Sequence, residues 1–131
     1  MDEIDFLVDT DVLIEFFRAN QSAIEWFESV KDRTIGIPVL VYLEILQGAE
    51  NRYEQKLLMK QMKEYEIIHL ESGDSELAQE WFEQFYLSHG FGLVDALIAA
   101  IAKRVHKPLY TFNDKHFRVI KKLEIRIPYK R

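Results

Sequence analysis

The stretch from residue 4 to residue 17 constrains the fold more strongly than any other part of the chain. Residues 6–8 (Phe-Leu-Val) form an apolar run that is too short for a helix and typical of a buried strand. The run breaks at residues 9–11 (Asp-Thr-Asp), after which apolar residues recur at helical spacing: Val12, Leu13, Phe16 and Phe17. Because ligands bind at the carboxyl ends of strands in open parallel sheets, we expect Asp9 either to cap this helix or to hold a cation.

The composition is that of one folded domain, which we expect to span residues 1–131. A hydrophobic content of 48% is high enough for a packed core and argues against a disordered chain. The absence of cysteine excludes disulfides and thiolate metal sites and favours a reducing cytoplasm. No apolar run approaches the ~20 residues of a membrane span. We therefore expect a cytoplasmic protein that does not contact a membrane.

Charge is distributed unevenly along the chain. Residues 1–102 contain 7 Lys and Arg against 20 Asp and Glu, a balance of −13. Residues 103–131 contain 10 Lys and Arg against 2 Asp and Glu, a balance of +8. The basic segment is either a solvated surface or a binding site for phosphates beside an acidic centre. Composition alone leaves both interpretations open.

Short apolar runs alternate with helical patterns, and hairpin signals are lacking. Besides residues 6–8, strands are expected near residues 34–37, 65–70, 109–111 and 125–127. This alternation predicts an α/β fold, a three-layer sandwich with a mostly parallel central sheet and helices on both faces.

Three local patterns predict how individual helices begin and pack. A capping box at residues 22–25 (Ser-Ala-Ile-Glu) predicts the start of the second helix, and Pro38 is expected in the first turn of the third. A long helix from about Asp74 to Gly90 carries an apolar stripe that we expect to be buried: Leu77, Trp81, Phe82 and Phe85.

Acidic or amide side chains interrupt apolar surroundings at four places: Asp9, Glu44, Asp95 and the pair Asn113 and Asp114. Asp9, Asp95 and Asn113 could each cap a helix. Glu44 lies among aliphatic neighbours and needs a partner if it is buried. Taken together the pattern favours a shared site, because carboxylates held close together repel unless a cation is present. Hard oxygen ligands without cysteine suit Mg²⁺ or Mn²⁺.

Four stretches resemble, in the right order, the motifs of PIN-domain ribonucleases, and more closely those of the VapC toxins of toxin–antitoxin pairs. Residues 9–14 (Asp-Thr-Asp-Val-Leu-Ile) look like the first motif, and residues 42–48 (Tyr-Leu-Glu-Ile-Leu-Gln-Gly) resemble the second. Residues 95–100 (Asp-Ala-Leu-Ile-Ala-Ala) are similar to the third, which is the most specific. Residues 109–117 look like the fourth, in which the family has Asp or Asn at the position of Asn113.

The resemblance implies a metal-dependent endoribonuclease, the toxin of a type II toxin–antitoxin system. Asp9, Glu44 and Asp95 would hold Mg²⁺, for which Mn²⁺ is a possible substitute. The fourth position is filled by Asn113, which is a weaker ligand than Asp, or by Asp114. Either would help directly or through water.

The first motif also contains Thr10 and Asp11, and Thr10 would steady the turn or a water molecule behind the ligands. One departure from the family is Val39, which stands where Ser or Thr is common. The resemblance further implies an RNA substrate and a small VapB-like antitoxin whose tail blocks the site. It also implies a toxin homodimer that forms a heterotetramer or larger assembly with the antitoxin.

Two other functions remain open from the sequence. Residues 9–11 imitate the Asp-x-Asp motif of haloacid-dehalogenase-type phosphatases, with Asp9 as nucleophile and Asp11 as acid, but a late acidic pair after a strand is missing. The other is a catalytically inactive module that binds RNA or a partner through its basic C-terminal segment. His116 lies beside the fourth motif and is expected to be solvated.

Overall fold

The computed structural model describes residues 3–131, and its centre is a five-stranded sheet. The strands are β1 (Phe6–Val8), β2 (Ile35–Pro38), β3 (Glu66–Ile68), β4 (Leu109–Tyr110) and β5 (Ile125–Arg126). They lie in the order β3-β2-β1-β4-β5, and every neighbouring pair is parallel. The predicted α/β fold with a mostly parallel sheet is confirmed.

Helices cover this sheet on both faces, as the sequence predicts. Within residues 3–131 they are α1 (Thr10–Phe17), α2 (Gln21–Ser29), α3 (Val39–Gln47), α4 (Arg52–Gln61), α5 (Ser72–His89), α6 (Leu93–Val105) and α7 (Asp114–Phe117), with a 3-10 turn, Met62–Glu64, after α4. Right-handed crossovers place α1 to α4 on one face and α5 to α7 on the other. No helix in this part of the chain has the length and apolarity needed to cross a membrane.

The core surrounds β1, whose three residues are all buried. Helix α6 contributes the longest buried run, residues 98–102 (Ile-Ala-Ala-Ile-Ala), where the small alanines allow close packing. Because β1 is the middle strand, the residue that follows it, Asp9, lies near the centre of the molecule. The fold therefore places an acidic turn at the carboxyl edge of a hydrophobic core.

The two predicted helix starts differ from the structure by one or two residues. The capping box at residues 22–25 is wrong, because α2 begins earlier and its cap is Asn20, whose side chain accepts the N–H of Ala23. Pro38 is the last residue of β2 and immediately precedes α3 instead of lying inside its first turn. Helix α2 is therefore capped two residues before the predicted position, and α3 begins one residue after Pro38.

The long helix α5 begins at a reciprocal cap between Glu71 and Asp74. Asp74 is 2% exposed, and both its oxygens accept hydrogen bonds from Nε of Arg104 on α6, at 2.9 and 3.1 Å. The apolar stripe of α5 packs against the core but is only half-buried: Leu77, Trp81, Phe82 and Phe85. The prediction that this stripe is buried is therefore only partly right, and the exposed part forms a surface.

Candidate active site

Asp9 is fixed at the carboxyl end of the sheet between β1 and β4. Its backbone N–H donates to the carbonyl of Tyr110 at 2.9 Å, which extends the pairing of the two strands. One side-chain oxygen accepts the backbone N–H of Thr10, and the other accepts the hydroxyl of Thr111, both at 2.8 Å. Strand order reverses between β1 and β4, so Asp9 occupies the switch point where ligands bind in open α/β sheets.

The environment of Asp9 disfavours a negative charge. Asp9 is 7% exposed, and burial together with the neighbouring charges of Asp11 and Asp95 raises the pKa of its carboxyl to about 7. The hydrogen bonds from Thr111 and Thr10 oppose this rise but do not cancel it. A cation at this position would offset the burial and the repulsion, because opposite charge favours the ionised form.

Asp11 connects the first turn of α1 to the loop after β4. Its carboxylate accepts the backbone N–H of Phe112, with the shorter distance, 3.2 Å, to Oδ2. Burial raises the pKa of this carboxyl, while the Phe112 amide and the guanidinium of Arg131 lower it. Asp11 therefore holds the loop in place through a backbone hydrogen bond.

Glu44 reaches the same turn from α3. Its Oε1 accepts the hydroxyl of Thr10 at 2.6 Å, a short hydrogen bond between residues 34 positions apart in the chain. Glu44 thus has the polar partner that its aliphatic neighbours made necessary. Because Thr10 also donates its backbone N–H to Asp9, one residue links the two carboxylates of the first and second motifs.

Asp95 lies in the first turn of α6 and does not cap it, since the N-cap is Gly92. Its Oδ2 lies 3.1 Å from Nδ1 of His116 on α7. The same Nδ1 lies 2.9 Å from the side-chain amide of Asn113, whose backbone N–H donates to Thr111 at 3.0 Å. The capping interpretation is therefore wrong for Asp95, whereas Asn113 occupies the N-cap position of α7 without making a side-chain capping bond.

The structure brings most of the predicted residues into one connected network. Hydrogen bonds run from Glu44 through Thr10 to Asp9, and from Asp9 through Thr111 to Asn113. Nδ1 of His116 lies within hydrogen-bond distance of both the Asn113 amide and Asp95, and it accepts from Asn113 when unprotonated or donates to Asp95 when protonated. Asp114 is engaged elsewhere, because its carboxylate pairs with Arg118 at 2.9 Å and this hydrogen bond lowers its pKa. Of the two candidates for the fourth position, Asn113 is the one joined to the network.

Two residues of this network do not stand out in the sequence, Thr111 and His116. Thr111 is 0% exposed and its hydroxyl is central to the network, yet a threonine at a strand end carries no distinctive signal. The side chain of His116 is 42% exposed, in agreement with a solvated residue, and it also contacts Asp95 and Asn113. Its spacing of three residues from Asn113, one turn of α7, is the signal that could have identified it.

The donor atoms fit a hard divalent cation in kind. The carboxylates of Asp9, Glu44 and Asp95 offer oxygen only, which suits Mg²⁺ or Mn²⁺. The raised pKa of Asp9 indicates that this centre lacks neutralising positive charge. Among residues 3–131, however, no group of three or more His, Asp or Glu side chains has a geometry that could hold a metal ion. The ligand set therefore stays a prediction.

Known proteins share this fold. A family model described as PIN domain matches residues 6–123. The structure is similar to a toxin–antitoxin complex from Klebsiella pneumoniae, with a TM-score of 0.78, 22% identity, and coverage of 97% of this chain and 100% of that one.

Two further solved structures are similar over nearly their whole length. VapBC2 from Rickettsia felis bound to a promoter DNA fragment gives a TM-score of 0.78 at 21% identity, covering 95% of this chain and 98% of that one. VapBC-1 from nontypeable Haemophilus influenzae gives 0.78 at 17% identity, covering 97% and 100%. A comparison with curated proteins gave no match. Since the family model covers nearly all of the described residues, including both strands that frame Asp9, the chain belongs to the PIN domain family.

Proposed function

We propose that this protein is a metal-dependent endoribonuclease of the VapC type, the toxin of a type II toxin–antitoxin system that acts in the cytoplasm. Membership of the PIN domain family supports a nuclease, and the similar structures include toxin–antitoxin complexes. The resemblance of four sequence stretches to VapC motifs supports the narrower assignment to RNA.

One observation carries the proposal: a buried carboxylate at the switch point of the sheet, surrounded by further carboxylates. Asp9 is nearly inaccessible, its pKa is raised to about 7, and Asp11 and Asp95 both contribute to that rise. Asp9 is the N-cap of α1 and accepts the N–H of Thr10, but capping does not account for a buried carboxyl beside two further carboxylates. A centre that binds a cation explains why a chain would keep three acidic groups here.

In this proposal Asp9, Glu44 and Asp95 hold the ion, with Asn113 helping directly or through water. Bound Mg²⁺ or Mn²⁺ would neutralise charge on the phosphodiester and make a water molecule more acidic. Thr10 orients Glu44 by its hydroxyl, and Thr111 orients Asp9. His116 lies beside Asp95, where its ring can donate a hydrogen bond to a phosphate oxygen of the RNA once the strand is in place.

The proposal includes an antitoxin partner and self-association. VapBC2 from Rickettsia felis and VapBC-1 from Haemophilus influenzae give the precedent for pairing with a second protein. We propose that residues 1–131 form one PIN domain and that two copies of this chain form a homodimer. We further propose that the homodimer binds a small VapB-like antitoxin in a heterotetramer or larger assembly.

Expression in a bacterial host tests the toxin assignment. Induction of the wild-type chain is expected to stop growth and to produce new 5′ ends in host RNA, because metal-loaded enzyme cleaves phosphodiesters. Asp9→Asn, expressed to the same soluble level, is expected to do neither. Normal growth and intact RNA with abundant soluble wild-type protein, in several hosts, would count against the assignment.

A second candidate is a catalytically inactive PIN module that binds RNA or a partner. It is favoured by the finding that the acidic and His side chains in the described part of the chain do not stand in a metal-holding geometry. RNA cleavage that depends on added metal distinguishes the nuclease from this module. The phosphatase hypothesis loses its basis, because the PIN family model spans residues 6–123 and Asp11 is occupied with the amide of Phe112.

A further inference from the structure

A groove lies beside the candidate active site, between α5, α6 and the segment that follows α7. Its volume is about 680 Å³, and the residues that give it its character are Trp81, Phe85, Lys103, Arg118, Lys121 and Lys122. Four of these six are cationic and two are aromatic. Among the residues that line the groove there is no Asp or Glu, although the chain as a whole carries a net charge of −5.

The positive charge of this groove is mostly available to a ligand. Lys121 and Lys122 are exposed, and neither forms an ion pair within residues 3–131. Arg118 is partly neutralised, because its Nε pairs with Asp114 at 2.9 Å. Concentrated cations on an acidic protein attract polyanions selectively to that face.

The wall formed by α5 provides aromatic surface. Trp81 and Phe85 are four residues apart and therefore share one face of the helix. Phe85 is held by edge contacts with His89 and Phe91 at centroid distances of 5.7 and 6.5 Å. Trp81 is half-buried and, within the described residues, is paired with no other aromatic ring. Aromatic rings interleaved with cations are the usual surface for single-stranded nucleic acid, whose bases stack while its phosphates meet the cations.

The groove begins next to the catalytic network. His116, which contacts Asp95, is separated from Arg118 by one residue, and Arg118 lines the groove. Because consecutive Cα atoms are ~3.8 Å apart, the two residues lie within about 8 Å of each other. Side chains two residues apart on a helix face different sides, so an RNA strand would pass over the end of α7 to reach from the carboxylate cluster into the groove.

We propose that this groove binds the single-stranded RNA on one side of the cleaved bond. Lys121 and Lys122 contact phosphates, and Trp81 stacks against a base. The proposal rests on the proposed function, since it assigns a second, extended subsite to the same RNA substrate. It does not depend on cleavage, because the groove and the carboxylate cluster are formed by different side chains.

Fluorescence anisotropy in excess chelator tests the proposal without cleavage. Labelled single-stranded RNAs of about 4 and about 12 nucleotides span the range that one such surface covers. The wild type is expected to bind the longer RNA more tightly. Lys121→Gln combined with Lys122→Gln is expected to weaken binding of the longer RNA and to reduce the slope of log Kd against log salt by about 1.4, because each phosphate contact contributes ~0.7 on a single strand.

The matched control removes the same charge from the other face of the sheet. Lys60→Gln combined with Lys63→Gln changes two exposed lysines in and after α4 and is expected to leave the slope unchanged. Trp81→Ala is expected to weaken binding of the longer RNA by about ten-fold. Trp81→Phe retains a stacking surface and is expected to keep most of the affinity. The lysine variants carry the test if Trp81→Ala does not fold.

Three results would overturn the proposal. The first is equal slopes for the two lysine pairs, and the second is a wild type whose affinity is independent of RNA length or equal for duplex RNA. The third is a change from dimer to monomer in the lysine or Trp81 variants, measured by sedimentation, with RNA affinity unchanged. That result would mean that the groove is an interface between copies of this chain. If the groove behaves as expected but no metal supports cleavage, the nuclease assignment fails and the groove assignment stands.

Discussion

At the scale of single residues, Asp9 is where folding and function conflict. Its carboxyl is buried beside Asp11 and Asp95, so its pKa is raised from 3.8 to about 7. Between these two values the folded protein keeps a proton that the unfolded chain has released. The free energy of unfolding of the metal-free protein therefore falls as the pH rises through this window, by at most about 4 kcal/mol for three pKa units.

Asp9→Asn should reverse this loss in chelator. The amide is isosteric, carries no charge and can still accept from the N–H of Thr10. We expect the variant to melt about 3–8 °C higher than the wild type at pH 8, and the difference to shrink towards zero at pH 4–5, where Asp9 is protonated in the folded wild type. Thermal melts of both proteins across pH 4–8 measure this. A difference that is the same at pH 5 and pH 8 would show that the charge of Asp9 does not oppose folding.

At the scale of elements, the site depends on contacts between helices and loops that are distant in the chain. Thr10 on α1 donates to Glu44 on α3, and Asp11 accepts from Phe112 after β4. These bonds hold the ends of β1, α3 and β4 in one arrangement. Side chains that orient metal ligands typically contribute 10–100-fold to metal affinity.

Thr10→Val should therefore weaken binding of Mn²⁺ by about 10–100-fold, because it removes the hydroxyl while retaining the shape of the side chain. Thr10→Ser keeps the hydroxyl and should bind nearly as the wild type does. Calorimetric titration of the three proteins provides the comparison, with their melting temperatures as a check on folding. Equal Mn²⁺ affinities of Thr10→Val and Thr10→Ser would mean that Glu44 is not oriented by Thr10 or is not a metal ligand.

The elements themselves were largely predictable, because each depends on local pattern. The strand at residues 6–8 and the stop of α3 at Gly48 follow from apolar period and backbone preference. What local pattern could not give is the tertiary partner of a polar group. The contact of His116 with Asp95 joins residues 21 positions apart, and the bond from Thr111 to Asp9 joins residues 102 apart.

The half-exposed stripe of α5 shows the same limit from the apolar side. Trp81 and Phe85 have the spacing of core residues. The sequence does not reveal that both line a groove together with the segment after α7. Similarly, the four acidic or amide positions could be grouped from their motifs. Only the structure shows that Asn113 belongs to the network, whereas Asp114 forms an ion pair with Arg118.

At the scale of the whole molecule, acidic and basic side chains lie in different places, as they do along the chain, where residues 1–102 are mainly acidic and residues 103–131 mainly basic. The acidic centre lies at the carboxyl edge of the parallel sheet, where β1, α3 and α6 converge. The basic residues of segment 103–131 include those that line the groove beside it. In the proposed function a polyanion would be attracted to the basic side, and its phosphate would approach the carboxylates once a cation offsets their charge.

Metal-dependent cleavage of a defined RNA distinguishes the proposed nuclease, with its cation held at Asp9, from an inactive PIN domain. Purified protein is incubated with end-labelled single-stranded RNA in Mg²⁺, in Mn²⁺ and in excess chelator, alongside Asp9→Asn. We expect cleavage by the wild type in either metal, none in chelator, and a rate for Asp9→Asn that is lower by at least about 100-fold, since a direct ligand is lost. Undiminished cleavage in chelator, or by Asp9→Asn in metal, would contradict it.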